Sequence, residues 1–275
     1  VCRITNINEL EQRFINERRT FAETSQGSVN PTELVAMLIS ECDDFVSGIN
    51  KVFANIKGSC SMLIMTHDRI IAARDSFGRT PIVIGMKEGA HALTFETSAF
   101  PNLSYEPVHY LGAGEIVEVD VDGFRQLQKP GDNMQACAFL WVYYGYPPSI
   151  YENINVDESR YNCGAALAKH ETVKADFVAA IPDSGIGHAM GFSGKTGIPL
   201  KRPYSKYTPT WPRSFMPQNQ ETRDLVAKMK LIPNKAVLEG KSGIFLDDSI
   251  VRGTQLHDNV KDLHAGGIKE IHMRI

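Results

Sequence analysis

The stretch Gly243-Ile-Phe-Leu-Asp-Asp-Ser-Ile-Val-Arg-Gly-Thr-Gln255 decides how the second half of the chain folds. Its first four residues are an apolar strand that runs straight into two adjacent carboxylates, Asp247 and Asp248. Ser249 through Thr254 then lead into a helix over 254–265, with Leu256, Val260 and Leu263 on its apolar face and Gly266-Gly267 as its stop. Upstream, Asp157–His170 has the pattern of a helix and Ala175–Ile181 that of a buried strand; Ile268–Ile275 supplies a third strand. Strands joined by crossover helices make a parallel sheet. In such sheets ligands bind beyond the carboxyl ends of the strands. Two of those ends are polar and glycine-rich, Ile181-Pro-Asp-Ser-Gly-Ile-Gly187 and the run after Phe245. Backbone N–H groups at a helix start, with Ser and Thr hydroxyls and a glycine for close approach, form an anion cradle suited to phosphate. The carboxylates suit sugar hydroxyls or a hard cation instead. A ligand carrying both a phosphate and a sugar diol would use both halves of the loop. The plain alternative, a solvated Asp pair and a simple Ser cap, explains less of the run.

The first half has a different grammar. A helix is expected over 7–17, with Leu10 and Phe14 on one face. A second starts at Asn30-Pro31, with Glu33 three residues after the cap and Leu34, Leu38 and Ile39 inward. A third runs from Asp44, with Phe45, Ile49, Val52, Phe53 and Ile56 as its stripe. After Gly58 short strands follow at 61–66, 69–73, 81–85, 91–95 and 114–120, separated by turn residues. This predicts an antiparallel sheet flanked by helices, an α+β layer. Lys129-Pro-Gly-Asp132 resembles a linker, which places two domains at 1–130 and 131–275.

The 275 residues suffice for about two domains. With 43% hydrophobic and 22% charged residues the composition is globular, and a net charge of −3 gives no basic bias toward nucleic acid. No run of apolar residues is long enough to predict a membrane span, and Val1–Leu10 has no signal-peptide pattern. The five cysteines, Cys2, Cys42, Cys60, Cys137 and Cys163, are odd in number and form no CxxC pair. They point to a reducing cytoplasm rather than a disulfide framework or a zinc site. His257, His264 and His272 are spaced seven and eight apart, and are read as ordinary surface or core residues. The aromatic run Phe139–Tyr146 is read as a packed strand and domain contact.

Asp247-Asp-Ser-Ile-Val-Arg-Gly-Thr254 resembles the phosphoribosylpyrophosphate (PRPP) loop of type I phosphoribosyltransferases, and more narrowly that of the glutamine PRPP amidotransferase family. Val178–Gly185 resembles the family's pyrophosphate loop, and Gly191-Phe with Thr196-Gly-Ile-Pro199 the segment after it. Arg213–Gln220 is similar to its flexible loop and Val226–Pro233 to the basic stretch that follows. Ala72–Pro81 and Phe95–Ala99 are similar to glutaminase landmarks. The resemblance implies a partial N-terminal-nucleophile hydrolase layer followed by an α/β phosphoribosyltransferase domain. It implies a glycosyltransferase that forms 5-phosphoribosylamine from PRPP and glutamine or ammonia, the first step of purine synthesis. Asp247 and Asp248 would hold the ribose diol and Mg²⁺; Ser249, Ile250, Val251, Arg252, Gly253 and Thr254 would wrap the 5′-phosphate. Asp183, Ser184 and Gly185 would face pyrophosphate, with Ser184 as a further Mg²⁺ ligand. Arg213 would close over pyrophosphate, the alternative being a surface arginine after Pro212. A homo-oligomer acting in the cytoplasm is expected, with no nucleic-acid or membrane partner.

Departures from the family pattern matter as much. Cys2 is preceded by Val1 and followed by Arg3, so it does not fit the family's nucleophile. Ile4–Leu10 resembles the segment after the family's Asn-Gly oxyanion element, so the nucleophile segment is expected to precede residue 1 and the chain to be a fragment that stops inside a strand at Ile275. Pro31 stands where the family has an Asp that contacts glutamine. Thr208–Pro212 resembles an insertion in the flexible loop. Some members hold an iron–sulfur cluster through a Cys at the position of Cys137; members without clusters have that Cys too, and a lone Cys otherwise reads as a small buried hydrophobe. The competing readings are a PRPP-using transferase with a decayed glutaminase half and a regulatory PRPP-binding protein.

Overall fold

The computed structural model describes residues 2–25, 27–206, 231–250 and 253–275. The chain forms two compact units, residues 1–138 with 149–152 and residues 139–148 with 153–275.

The first unit opens with β1 (Cys2–Ile4) and α1 (Ile7–Asn16), followed by α2 (Pro31–Ile39) and α3 (Phe45–Asn55). The expected N-cap at Asn30 forms, and Asp44 caps the third helix as well. Asn30 accepts from Thr32 N (2.9 Å) and Asp44 from Ser47 N (2.9 Å). Glu33 does not reach back to the Asn30 N–H, as the capping-box reading expects. Its carboxylate instead takes the Ala22 and Glu23 N–H groups (2.7 and 2.9 Å), and Asn30 N donates to Glu23 O. Leu10, Phe14, Leu34, Leu38 and Val52 meet in one core beneath these helices.

The strands that follow are β2 (Gly58–Cys60), β3 (Met62–Met65), β4 (Ile70–Ala73), β5 (Val83–Lys87), β6 (Ala90–Thr94), β7 (Glu106–Tyr110), β8 (Ile116–Val119) and β9 (Phe124–Gln128). Among the described residues they form a four-stranded antiparallel sheet, order β9-β8-β4-β3, and a three-stranded one, order β6-β5-β7. Ala72, Ile82, Ile84, Leu111, Val117 and Val119 fill a shared core. The segment after β4 is held by its own polar groups. Arg74 is buried and donates to the carbonyls of Leu111 and Gly78 and to Glu152. Asp75 accepts from Ser61 Oγ, Phe77 N and Thr80 N at 3.1–3.2 Å. Buried charges persist only when so paired.

In the second unit the aromatic run is not a strand: Leu140–Tyr144 is a π-helical turn. The cause lies nineteen residues on. Arg160 is buried, and its guanidinium donates to the carbonyls of Trp141 (2.8 Å), Tyr143 (3.1 Å) and Gly145 (2.8 Å). Those carbonyls are turned inward to one cation, which a strand ladder would not permit.

The unit continues with α4 (Val156–Leu167), β10 (Phe177–Ala180), α5 (Gly185–Thr196), β11 (Ser242–Leu246), α6 (Thr254–Ala265) and β12 (Glu270–Arg274). The strands form a parallel sheet with β11 central, in the order β10-β11-β12 among the described residues; Leu200 adds a parallel bridge to Val178. Val178, Ile244, Leu246 and Phe192 pack on one side of the sheet, and Phe177, Phe245, Leu263 and Ile268 on the other. Helices α4 and α5 cross closely because glycines face the contact: a Cβ on Gly191 would lie 1.9 Å from Tyr161 O.

Candidate functional site

Two loops leave the carboxyl ends of neighbouring strands. Ala180 pairs with Leu246 and Leu246 with Arg274. Beyond them the ladder runs on, with Ile181 N donating to Leu246 O (2.8 Å) and Asp247 N to Arg274 O (3.1 Å). The Asp183–Gly185 segment and the Asp247–Asp248 pair are thereby fixed side by side. The Pro182–Asp183 peptide is cis.

Asp183 is exposed, Ser184 half-buried and Gly185 buried. Ser184 stands at the N-cap of α5, and its side chain makes no capping bond. The turn is closed by Gly185 N to Ile181 O (3.1 Å) and Ile186 N to Asp183 O (3.2 Å). Gly185 is required by contact: a Cβ there would lie 2.5 Å from Leu246 O and 3.5 Å from Asp247 Cα.

Asp247 and Asp248 are half-buried. Burial pushes the Asp247 carboxyl up to about 6; a hydrogen bond from the Asp248 N–H (2.9 Å) opposes this, and the neighbouring Asp248 charge adds to it. Ser249 Oγ donates to Asp248 Oδ1 (2.5 Å). Ile250 is exposed. Gly253, at φ +73° in the left-handed region, precedes the first turn of α6. The positive end of that twelve-residue helix thus follows directly on the loop. Val251, Arg252 and Arg213 lie outside the described residues.

The donor set fits a hard divalent cation. Asp247 and Asp248 offer carboxylate oxygens and Ser184 a hydroxyl, and a cation would relieve the cost of ionising Asp247 in a half-buried place. The described residues contain no grouping of three or more His, Cys, Asp or Glu that could hold a metal, so a bound cation here would complete its shell from ligand and water oxygens. An iron–sulfur cluster needs a set of thiolates, and no such set gathers at Cys137 among the described residues. Cys137 is exposed, which also corrects its reading as a small buried hydrophobe.

Residue patterns did not single out the cavity beside the acidic pair. A cavity of about 710 Å³ is lined there by Asp247, Asp248, His188, Cys163, His170 and Arg274. His188 is 5% exposed, and its Nε2 has no hydrogen-bond partner. Burial holds its pKa below the usual imidazole value. Arg274 makes a two-pronged ion pair with Glu171 (2.7 and 2.9 Å), which holds that carboxyl down to about 2. His188 falls three residues after Gly185 and, like it, is buried on α5; nothing in the residue pattern marks it.

Fold and loops together define an antiparallel α+β unit followed by a parallel α/β unit whose polar loops meet at the strand ends. Residues 2–102 match the model of the glutamine amidotransferase domain. Over nearly all of its length the chain is similar in sequence to amidophosphoribosyltransferases. It is 37% identical over 266 residues to amidophosphoribosyltransferase 1, chloroplastic, of Arabidopsis thaliana, covering 95% of this chain and 46% of that protein. It is 33% identical to the amidophosphoribosyltransferase of Methanocaldococcus jannaschii, covering 99% of this chain and 61% of that protein. Among solved structures, the glutamine PRPP amidotransferase from B. subtilis complexed with ADP and GMP superposes with a TM-score of 0.85 at 31% identity, covering 99% of this chain and 59% of that one. The chain therefore spans about half to three fifths of the length of these relatives. Among the described residues, no helix is long and apolar enough to cross a membrane.

Proposed function

We propose that the chain is part of an amidophosphoribosyltransferase, which transfers ammonia from glutamine to PRPP and releases pyrophosphate and glutamate, the entry to purine synthesis. The observation that carries this reading is the fixing of Asp183–Gly185 beside Asp247–Asp248 on adjacent parallel strand ends, immediately before a helix start. Residues 1–138 with 149–152 would be the glutamine amidotransferase half, of N-terminal-nucleophile hydrolase type, and residues 139–148 with 153–275 the type I phosphoribosyltransferase half.

In this reading Asp247 and Asp248 accept hydrogen bonds from the ribose hydroxyls and, with Ser184, hold Mg²⁺. Mg²⁺ would supply charge neutralisation for departing pyrophosphate. The loop from Ser249 to Thr254 wraps the 5′-phosphate, whose charge the start of α6 favours. Asp183, Ser184 and Gly185 face the pyrophosphate, where backbone N–H groups can donate. Arg213 belongs to this reading as the group that closes over pyrophosphate. The reaction displaces pyrophosphate from the anomeric carbon by ammonia, so the protein's work is positioning and charge stabilisation.

A second reading, a PRPP-using transferase or regulatory PRPP-binding protein with a degenerate glutaminase half, draws on Pro31, which stands at the first position of α2 where the family carries a glutamine contact. Because the nucleophile segment is expected before residue 1, this chain alone is expected to lack glutaminase activity; pyrophosphate release from PRPP by a protein that includes that segment, with glutamine or ammonium as donor, separates these. Release with either donor supports the amidotransferase; release with ammonium alone supports the transferase with a decayed glutaminase half; PRPP binding without release supports the regulatory protein.

A further inference from the structure

Strands β1 and β2 pair antiparallel, with Cys2 opposite Cys60, Arg3 opposite Ser59 and Ile4 opposite Gly58. One step further in the same register, Thr5 N donates to Lys57 O (2.8 Å) while Lys57 N turns to Asn6 Oδ1 (2.8 Å), so Thr5 and Lys57 occupy a hydrogen-bonding position of the ladder with one of its two bonds made. Hydrogen-bonded and non-hydrogen-bonded pairs alternate along an antiparallel ladder, and side chains come closest in the second kind. Counting back, Arg3 and Ser59 are hydrogen-bonded, and Cys2 and Cys60 are not. Such a pair has its Cα atoms about 4.5 Å apart, within the range of roughly 4.4–6.8 Å that a disulfide spans. The two side chains also leave the ribbon on the same face, as directly opposed residues do.

The two thiols differ in setting. Cys2 is exposed; Cys60 is buried against the core that holds Leu10, Phe14 and Leu34. A hydrogen bond from Cys60 favours the Cys2 thiolate and holds Cys2 below the usual thiol value, while the same contact and burial push Cys60 up. The accessible partner is thus the nucleophile and the enclosed one the resolving thiol.

We propose that Cys2 and Cys60 are a redox-responsive pair that closes to a disulfide when the protein meets a low-molecular-weight disulfide. The Cys2 thiolate attacks one sulfur of the small disulfide, forming a mixed disulfide and expelling one small thiolate. The Cys60 thiolate then attacks the Cys2 sulfur and expels the second. Two protein thiols are oxidised and one small disulfide is reduced to two thiols, which take up the two protons. The bridge ties β1 to β2 and closes the span that carries α1, α2 and α3, so it restricts the unfolded chain over that whole length.

The test uses the full chain with Cys42, Cys137 and Cys163 each replaced by Ser, which leaves the pair alone. After treatment with oxidised glutathione and then alkylation, the expected product has the mass of the reduced chain less two hydrogens, with no alkylation, and a peptide map that joins the Cys2 and Cys60 peptides. Its thermal midpoint rises and returns to the starting value on reduction. Adding Cys2→Ser, a change at an exposed position, gives no bridge and leaves Cys60 unmodified in the folded protein. A folded chain that stops at glutathione on Cys2, with Cys60 still open to alkylation on unfolding, overturns the proposal. So does a bridge that forms only after the chain is unfolded.

Discussion

The Leu246 carbonyl oxygen lies 2.5 Å from where a Cβ on Gly185 would stand, so the two candidate ligand loops meet backbone to backbone. That oxygen already accepts from Ile181 N at 2.8 Å and cannot retreat without opening the ladder between β10 and β11. Gly185→Ala must push the start of α5 away from Asp247. We expect a loss of roughly 1–3 kcal/mol in stability, the usual cost of overpacking, together with weaker PRPP binding. Urea unfolding and calorimetry check the two effects. An unchanged midpoint with unchanged affinity would show that the contact is slack.

Asp247 gives a pH dependence with a definite sign. Its folded carboxyl sits at about 6, above the ordinary value of 3.8. Stability from this group is therefore fully present below pH ~4 and is lost as the pH rises through about 6. Asp247→Asn removes that loss, so the variant should equal or exceed the parent in stability at pH 7.5, by up to roughly 1–3 kcal/mol, and match it near pH 4. Binding moves the other way. The double variant Asp247→Asn, Asp248→Asn should lose Mg²⁺-dependent PRPP binding, and the parent's affinity should fall as the pH drops from 7 to 5. A double variant with full affinity would sink the assignment.

The Glu171–Arg274 pair joins the segment before β10 to the end of β12, with the Glu171 side chain 5% exposed. Glu171 is depressed to about 2, first by the Arg274 hydrogen bonds. The stability it supplies is present above pH ~4.5 and fades as the pH falls toward 2. Glu171→Gln should cost about 1–3 kcal/mol at pH 7, read by denaturant unfolding, and progressively less in acid. A constant cost across that range would contradict the ion-pair account.

Arg160 holds the Trp141 and Tyr143 carbonyls of the π-helical turn and that of Gly145 just after it. Arg160→Met keeps much of the stem but removes the guanidinium donors from those carbonyls, at about 1–3 kcal/mol for each buried hydrogen bond lost. We expect a loss of several kcal/mol and a changed near-ultraviolet signal from Trp141. A variant with the parent's midpoint would mean that water replaces the guanidinium.

Much of this architecture is legible in the residues, for identifiable reasons. The helix over Thr254–Ala265 has the expected bounds because Gly253, at a positive φ, and Gly266-Gly267 punctuate it locally. Asn30 caps as expected because a cap needs only three or four neighbouring residues. What stayed hidden depends on groups distant in sequence. The Phe139–Tyr146 run has the composition of a strand, and Arg160 turns part of it into a π-helical turn. Glu33 is diverted from its own helix by the N–H groups of Ala22 and Glu23. His188 reads as one more polar residue on a helix until α4 and the sheet enclose it. The acidic pair is legible because an apolar strand that ends in two carboxylates is chemically conspicuous; its neighbour across the sheet is known only once β10 and β11 are paired.

The central claim is that the strand ends around Asp183–Gly185 and Asp247–Thr254 bind PRPP with Mg²⁺. Calorimetric titration of the chain with PRPP, with Mg²⁺ and with excess chelator, tests it most directly. The account predicts saturable binding at one site with Mg²⁺ and a large loss of affinity with chelator. No binding by a folded sample in the presence of Mg²⁺, or binding indifferent to the chelator, would contradict it.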